Sequence, residues 1–107
     1  MWGAEFKVRN SSLHDLTTGI YANAPGQPTV TLTATGNQFE NCFAGIGGTE
    51  NTLLHKIESN TFTVCTEGIG LGGGVSSSIV TDADLIQYLL DNNTFDGSII
   101  DDVADYR

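Results

Sequence analysis

The stretch Asn37–Ile46, read N-Q-F-E-N-C-F-A-G-I, returns almost in register as Asn60–Ile69, N-T-F-T-V-C-T-E-G-I. A fainter copy is Ser11–Ile20, S-S-L-H-D-L-T-T-G-I, and a broken one is Asn93–Asp102, N-T-F-D-G-S-I-I-D-D. The copies start at residues 11, 37, 60 and 93, spaced 26, 23 and 33 apart. Internal periods of this size belong to solenoids, propellers and arrays. A period in the low twenties with strand-like composition points to one coil of a β-solenoid, because a helical repeat needs more chain.

Each copy is preceded by a stretch that aligns without gaps on the Asn position. Three residues before it stand Val8, Ala34, Ile57 and Leu90; five before it, Phe6, Leu32, His55 and Tyr88; seven before it, Ala4, Val30, Leu53 and Ile86. Alternate side chains of a strand share one face, so these columns predict a continuous inward face. Thr29–Thr35 is the cleanest period-two strand in the chain. Only His55 is out of character in its column. It is either a hydrogen-bonded core histidine or a residue displaced by a bulge that lets Leu54 take its place.

Inside the motif, Leu13, Phe39, Phe62 and Phe95 form a large inward column, and Leu16, Cys42, Cys65 and Ser98 a mostly small one. Gly19, Gly45 and Gly68 offer a turn position with positive φ at no steric cost. Ile20, Ile46 and Ile69 restart a buried strand. The Asn suits a corner through its tolerance of the left-handed region, and stacked Asn37, Asn60 and Asn93 predict an amide ladder. Connections fall at Tyr21–Gln27 with Pro25-Gly26 and Pro28, at Gly47–Asn51, and at the glycine- and serine-rich Gly70–Ser78. The segment Thr81–Asn92 carries two patterns. Thr81 with Asp84 resembles a capping box and Leu85, Ile86, Leu89 and Leu90 make a helical stripe, while Ile86–Leu90 also fits the strand columns. The strand reading is preferred for Ile86–Leu90, with a short helical turn near residues 81–85.

The N-x-F-x-x-C-x-x-G-I pattern resembles the repeat of right-handed parallel β-helix proteins of the pectin-lyase-like kind, over roughly Phe6 to Phe95. The resemblance implies an all-β, right-handed parallel β-helix of about four coils, with residues 1–107 forming a single segment. The fourth copy departs from the pattern, with Asp101 and Asp102 where Gly and Ile are expected. At a strand spacing near 4.8 Å, four coils stand on the order of 20 Å tall, fewer than such proteins usually have. Both ends then expose strand edges unless capped, and the Trp2 end and Asp91–Arg107 are the candidate caps. The expected partners are further β-helix coils in a parent chain or a stacked copy of the chain itself.

With 107 residues the chain holds one modest core. Its formal charge of −9, opposed only by Lys7, Arg9, Lys56 and Arg107, argues against nucleic acid and anionic membranes as partners. The same charge should repel acidic polysaccharides unless a cation bridges them. No apolar run is long enough to span a bilayer. The N-terminal M-W-G-A-E-F-K-V-R-N lacks the basic head and apolar run of a secretory signal. Heavy use of Thr, Asn, Ser and Gly suits an extracellular or cell-surface protein. Cys42 and Cys65 fit neither a disulfide-dense scaffold nor a zinc site. They read as small buried apolar residues, with a bridge between neighbouring coils the alternative.

Family resemblance implies that any chemistry lies on a sheet face or in a groove beside it, either as paired aspartates for hydrolysis or as Ca²⁺ with a basic residue for β-elimination. Asp101 and Asp102 are adjacent, so in a strand they point to opposite faces and do not make such a pair. Asp82, Asp84, Asp101, Asp102 and Asp105 make the last third acidic, without the spacing of an EF-hand or a calcium-binding nonapeptide. A solvated face is expected there, with Ca²⁺ the one cofactor those acids would admit. His14 sits beside Glu40 in an outward column continued by Thr63 and Asp96. Gly70–Gly74 lacks the G-K-[ST] of a phosphate loop. Thr29, Thr31, Thr33 and Thr35 line one coil only, too few for an ice-binding array. No catalytic, cofactor or metal residue is assigned. The expected role is a structural, adhesion or carbohydrate-binding module, with a fragment of a polysaccharide lyase or glycoside hydrolase, or a self-stacking filament subunit, as alternatives.

Overall fold

A computed structural model describes residues 5–24, 26, 29–79 and 81–107. Three strands make each coil. The first holds β1 (Glu5–Arg9), β2 (Ser12–His14) and β3 (Thr18–Ala22); the second β4 (Val30–Thr35), β5 (Gln38–Glu40) and β6 (Ala44–Gly48); the third β7 (Thr52–Glu58), β8 (Thr61–Thr63) and β9 (Glu67–Leu71). The fourth runs β10 (Val75–Ser77), helix α1 (Asp82–Asn92), β11 (Thr94–Asp96) and β12 (Asp101–Asp105). Corresponding strands stack in parallel into three four-stranded sheets: sheet A of β1, β4, β7 and β10, sheet B of β2, β5, β8 and β11, and sheet C of β3, β6, β9 and β12. The chain is a parallel β-helix of about four coils. Trp2, Ala4, Pro25, Gln27 and Pro28 lie outside the described residues.

The inward columns largely follow the repeat. Leu32, Ala34, Ile57, Phe39, Phe62, Cys42, Cys65, Ile46 and Ile69 are all buried. Phe39, Phe62 and Phe95 stack with ring centroids 4.9 and 5.0 Å apart, the offset-stacked range. Cys42 and Cys65 are free and buried in successive coils, not bridged. The first coil shows what burial requires. Phe6 and Leu16 hold the same columns as Leu32 and Cys42 yet are exposed, because among the described residues no coil covers their other side.

The amide ladder is complete. Asn37 Nδ2 donates to Asn60 Oδ1 at 3.0 Å and Asn60 Nδ2 to Asn93 Oδ1 at 2.9 Å. Each Oδ1 also accepts a backbone N–H of the preceding coil, from Ser11, Asn37 and Asn60 in turn. The left-handed corner, however, is one residue earlier, at Asn10, Gly36 and Ser59. A second corner column, Asp15, Asn41, Val64 and Gly97, is also left-handed.

Three expectations are corrected, and the choice left open at His55 is decided. Gly19, Gly45 and Gly68 are not in the left-handed region. They are glycine because a Cβ would strike the stacked Phe column: at Gly19 it would lie 2.6 Å from the Phe39 ring and 2.7 Å from the Gly45 carbonyl. Of the two readings of His55 the bulge holds, with Leu54 in the core and His55 outside it. Leu32 pairs with Leu54 and Thr33 with Lys56, so His55 is the extra residue of a bulge, and both His55 and Lys56 face solvent. Next to it, Thr52 rather than Leu53 sits opposite Val30, buried with its hydroxyl donating to the Ala22 carbonyl at 3.1 Å. Finally, Ile86–Leu90 is helix, and the last strand of sheet A is Val75–Ser77, paired only with Thr52–Leu54.

The helix wins for local reasons. Thr81 caps it by accepting the Asp84 N–H at 3.2 Å, Asp82 and Asp84 complement the N-terminal dipole, and Leu85 and Leu89 bury one stripe. A strand at the end of a stack leaves half its backbone groups unpaired, whereas a helix satisfies its own. Asn93 closes both structures, donating to the Leu89 carbonyl of the helix and the Ile57 carbonyl of β7, each at 2.9 Å. The fourth coil then continues past the point where the motif breaks. An inserted residue places Val103 opposite Ile69, while the Asp102 carbonyl stands over Gly68.

Candidate functional site

The parity of sheet A sends Lys7, Arg9, Thr33, Thr35 and Lys56 outward. Register sets them in rows: Lys7 pairs with Thr33 and Thr33 with Lys56, while Arg9 pairs with Thr35 and Thr35 with Glu58. Directly opposite residues on adjacent strands have Cβ atoms about 5 Å apart, so one threonine separates two lysines. The bulge adds His55 to the same face. Together with Glu5 these side chains line an open groove of about 300 Å³.

Three of the chain's four basic side chains therefore share one groove, in a protein carrying 13 carboxylates. Among the described residues, Lys7 is paired with Glu5 at 3.8 Å, and neither Arg9 nor Lys56 has a carboxylate partner. The fourth cation, Arg107, is elsewhere, clamping Asp105 at 2.8 Å and Asp82 at 3.0 Å. Its guanidinium holds the Asp105 carboxyl down to about 2. Thr33 is 8 % exposed, and its hydroxyl is buried with no hydrogen-bond partner among the described residues. A buried hydroxyl without a partner is costly. Thr33 lines the groove on the strand between those of Lys7 and Lys56, whose ammonium groups can only donate.

The residues singled out from the sequence are distributed as follows. The outward column His14, Glu40, Thr63 and Asp96 is present in sheet B. His14 bonds its neighbour Asp15 at 3.1 Å, and bonds from Asn41 and His14 lower the Asp15 carboxyl. Asp101 and Asp102 are exposed and Asp84 serves the helix cap. Gly70–Gly74 spans the end of β9 and a turn, with Gly74 left-handed. Among the described residues, no group of three or more His, Cys, Asp and Glu is placed to hold a metal ion.

Two arrangements escaped the sequence reading. The Lys7, Thr33, Lys56 row was visible as a column four residues before the repeat Asn, but its charge was averaged away in the net −9. Glu67 was hidden inside the motif. It is buried opposite Asp101 of the next coil and accepts the Tyr106 hydroxyl. Burial, then the Asp101 charge, pushes its carboxyl up. Two carboxylates from adjacent coils thus do meet, but Glu67 is shut away from solvent. No protein-family model, curated protein or solved structure matches the chain.

Proposed function

We propose that this chain is a binding module of an extracellular or cell-surface protein, a β-helix segment of the pectin-lyase-like kind that lays a polysaccharide along the outward face of sheet A. One observation carries this reading: the groove across β1, β4 and β7, lined by Lys7, Arg9, Thr33, Thr35, His55 and Lys56. It is shallow, rich in donors, and built on three hydrogen-bonded strands, which suits an extended polymer held by repeated polar contacts. The one carboxylate among its described lining residues, Glu5, is paired with Lys7, which favours holding over acid–base chemistry. The uncovered apolar columns of the first coil support a place within a longer solenoid. Phe6 continues the Leu32 and Leu54 row and Leu13 the phenylalanine stack, so a further parallel coil carrying the same columns fits that end.

The test is affinity electrophoresis of the chain through neutral and charged polysaccharides, followed by amide shift mapping with any that retards it. Retardation with shifts centred on β1, β4 and β7 is expected. Loss of the reading would come from no retardation in any polysaccharide, or from shifts confined to sheets B and C.

A further inference from the structure

We propose that the sheet-A groove is a site for a tetrahedral oxyanion, the sulfate or phosphate ester of a saccharide, seated on the Thr33 hydroxyl between Lys7 and Lys56 with Arg9 at its end. The proposal rests on the polysaccharide reading of sheet A and names the chemistry of the ligand.

The geometry argues for it in three steps. First, Lys7 and Lys56 occupy the strands on either side of Thr33 in one row, so their Cα atoms stand about 10 Å apart. That span admits one oxyanion between the two ammonium groups. Second, Thr33 is more than nine-tenths buried and its hydroxyl lacks a partner among the described residues. The flanking lysines offer it no acceptor, and an anion oxygen above it would supply one. Third, Arg9 and Lys56 lack carboxylate partners among the described residues, although the chain carries 13 acidic side chains against four basic ones. Cations left unpaired in an acidic protein are available to an outside anion, and charge-assisted bonds to sulfate or phosphate are the strong kind.

Donors approach from the floor, from both sides and from one end. A planar carboxylate presents two oxygens and leaves one direction unanswered, whereas a tetrahedral ester presents three. The bulge contributes as well, because the extra residue brings His55 onto this face as a further ring donor.

The experiment is a titration of the full chain at low salt with inorganic sulfate, inorganic phosphate and acetate, followed by amide shifts and calorimetry. A sulfated and a phosphorylated monosaccharide follow. Saturable shifts at Thr33 and Lys56 with the tetrahedral anions, and at least tenfold weaker response to acetate, are expected. Lys56→Gln and Arg9→Gln should each weaken binding about tenfold. Thr33→Val should weaken it severalfold, while Thr33→Ser, which keeps the hydroxyl, restores it. The ester that binds more tightly than its free ion identifies the source. An unsaturable response to both ions, or saturation unchanged by Lys56→Gln and Arg9→Gln, overturns the site. A neutral polysaccharide mapping to sheet A alongside that failure leaves the polysaccharide reading standing. Ions that bind while neither ester binds more tightly overturn the saccharide assignment instead.

Discussion

Tyr88 meets Ile57 where the last strand of sheet A stops: the phenol oxygen accepts the Ile57 N–H at 3.2 Å and donates to the Glu58 carboxylate at 2.7 Å. Strand β10 ends level with Leu54, so beyond that point the edge of β7 has no strand to bond among the described residues. A side chain of α1 stands in for the missing backbone. Burial, with the bond to Glu58, pushes the Tyr88 phenol up to about 12. A folded-state value above the unfolded one near 10 means stability is intact below pH 10 and is lost as pH rises toward 12. Tyr88→Phe should cost about 1–3 kcal/mol at pH 7 by leaving the Ile57 N–H unsatisfied. It should also flatten the alkaline fall. Urea unfolding at pH 7 and across pH 9–12 checks both, and equal alkaline slopes in the two proteins would refute the account.

The Asn60 side chain makes four hydrogen bonds in near-complete burial: it accepts from the Asn37 N–H and amide and donates to the Ala34 carbonyl and Asn93 Oδ1. Asn60→Ala orphans groups on both neighbouring coils, at about 1–3 kcal/mol each. Asn60→Asp preserves the shape but aims a buried charge at two acceptors, so it should be the worse of the two at pH 7. Acidification should narrow the gap, because a protonated Asp regains a donor. Denaturation of both variants at pH 7 and pH 4 reads this directly.

The phenylalanine stack and the glycine column are one device. Phe62→Ala should cost about 3–5 kcal/mol, the usual loss for a fully buried ring. From the other side, a Cβ at Gly45 would strike the Phe62 ring and lie 2.8 Å from the Gly68 carbonyl, so Gly45→Ala should cost about 1–3 kcal/mol through overpacking. Gly73 is the control: a Cβ there would meet nothing within 4 Å, its φ is not left-handed, and Gly73→Ala should stay within about 0.5 kcal/mol. Similar costs at Gly45 and Gly73 would mean that backbone freedom, not ring contact, selects these glycines.

This contrast explains what was legible in the sequence. Side-chain size at a fixed repeat position reports the core directly, so Phe39, Phe62, Ile46, Ile69 and the Asn ladder follow from column agreement. A glycine is ambiguous, because close approach and positive φ leave the same letter. Gapless alignment also cannot represent a bulge, and one extra residue at His55 carries Thr52, and not Leu53, to the place opposite Val30. In Ile86–Leu90 the two periodicities overlap, and the choice was made by capping at Thr81 and by burial of the Leu85 and Leu89 stripe. The groove was obscured differently: net charge describes the molecule, while Lys7, Arg9 and Lys56 act over a few ångströms.

Val64 holds a corner at φ 52°, in a column otherwise occupied by Asp15, Asn41 and Gly97. A β-branched residue there is strained, and the left-handed region costs an ordinary residue about 1–2 kcal/mol. Its side chain is exposed, so little packing is lost on replacement. Val64→Asn should raise stability by about 1 kcal/mol, seen as a higher midpoint of chemical unfolding with an unchanged slope. An unchanged or lower midpoint would show that the Val64 side chain contributes contacts outweighing its backbone strain.

Glu67 gives the fold an acid-side pH dependence of opposite character to Asp105. Burial, reinforced by Asp101, raises its carboxyl in the native chain, so the folded protein keeps this proton to higher pH than the unfolded chain does. The contribution is therefore fully present below the ordinary carboxylate value near 4.5 and is lost as pH rises through the raised native value. Asp105, lowered to about 2 by Arg107, works the other way, stabilising above 3.8 and failing as pH falls toward 2. Glu67→Gln retains an acceptor for the Tyr106 hydroxyl and abolishes the titration. The variant should lose the decline that the wild type shows above pH 4.5 while keeping the acid-side fall due to Asp105. Unfolding free energies from about pH 2 to 8 for both proteins separate the two groups, and superimposable profiles above pH 4.5 would mean that Glu67 is ionised in the native chain at its ordinary pH.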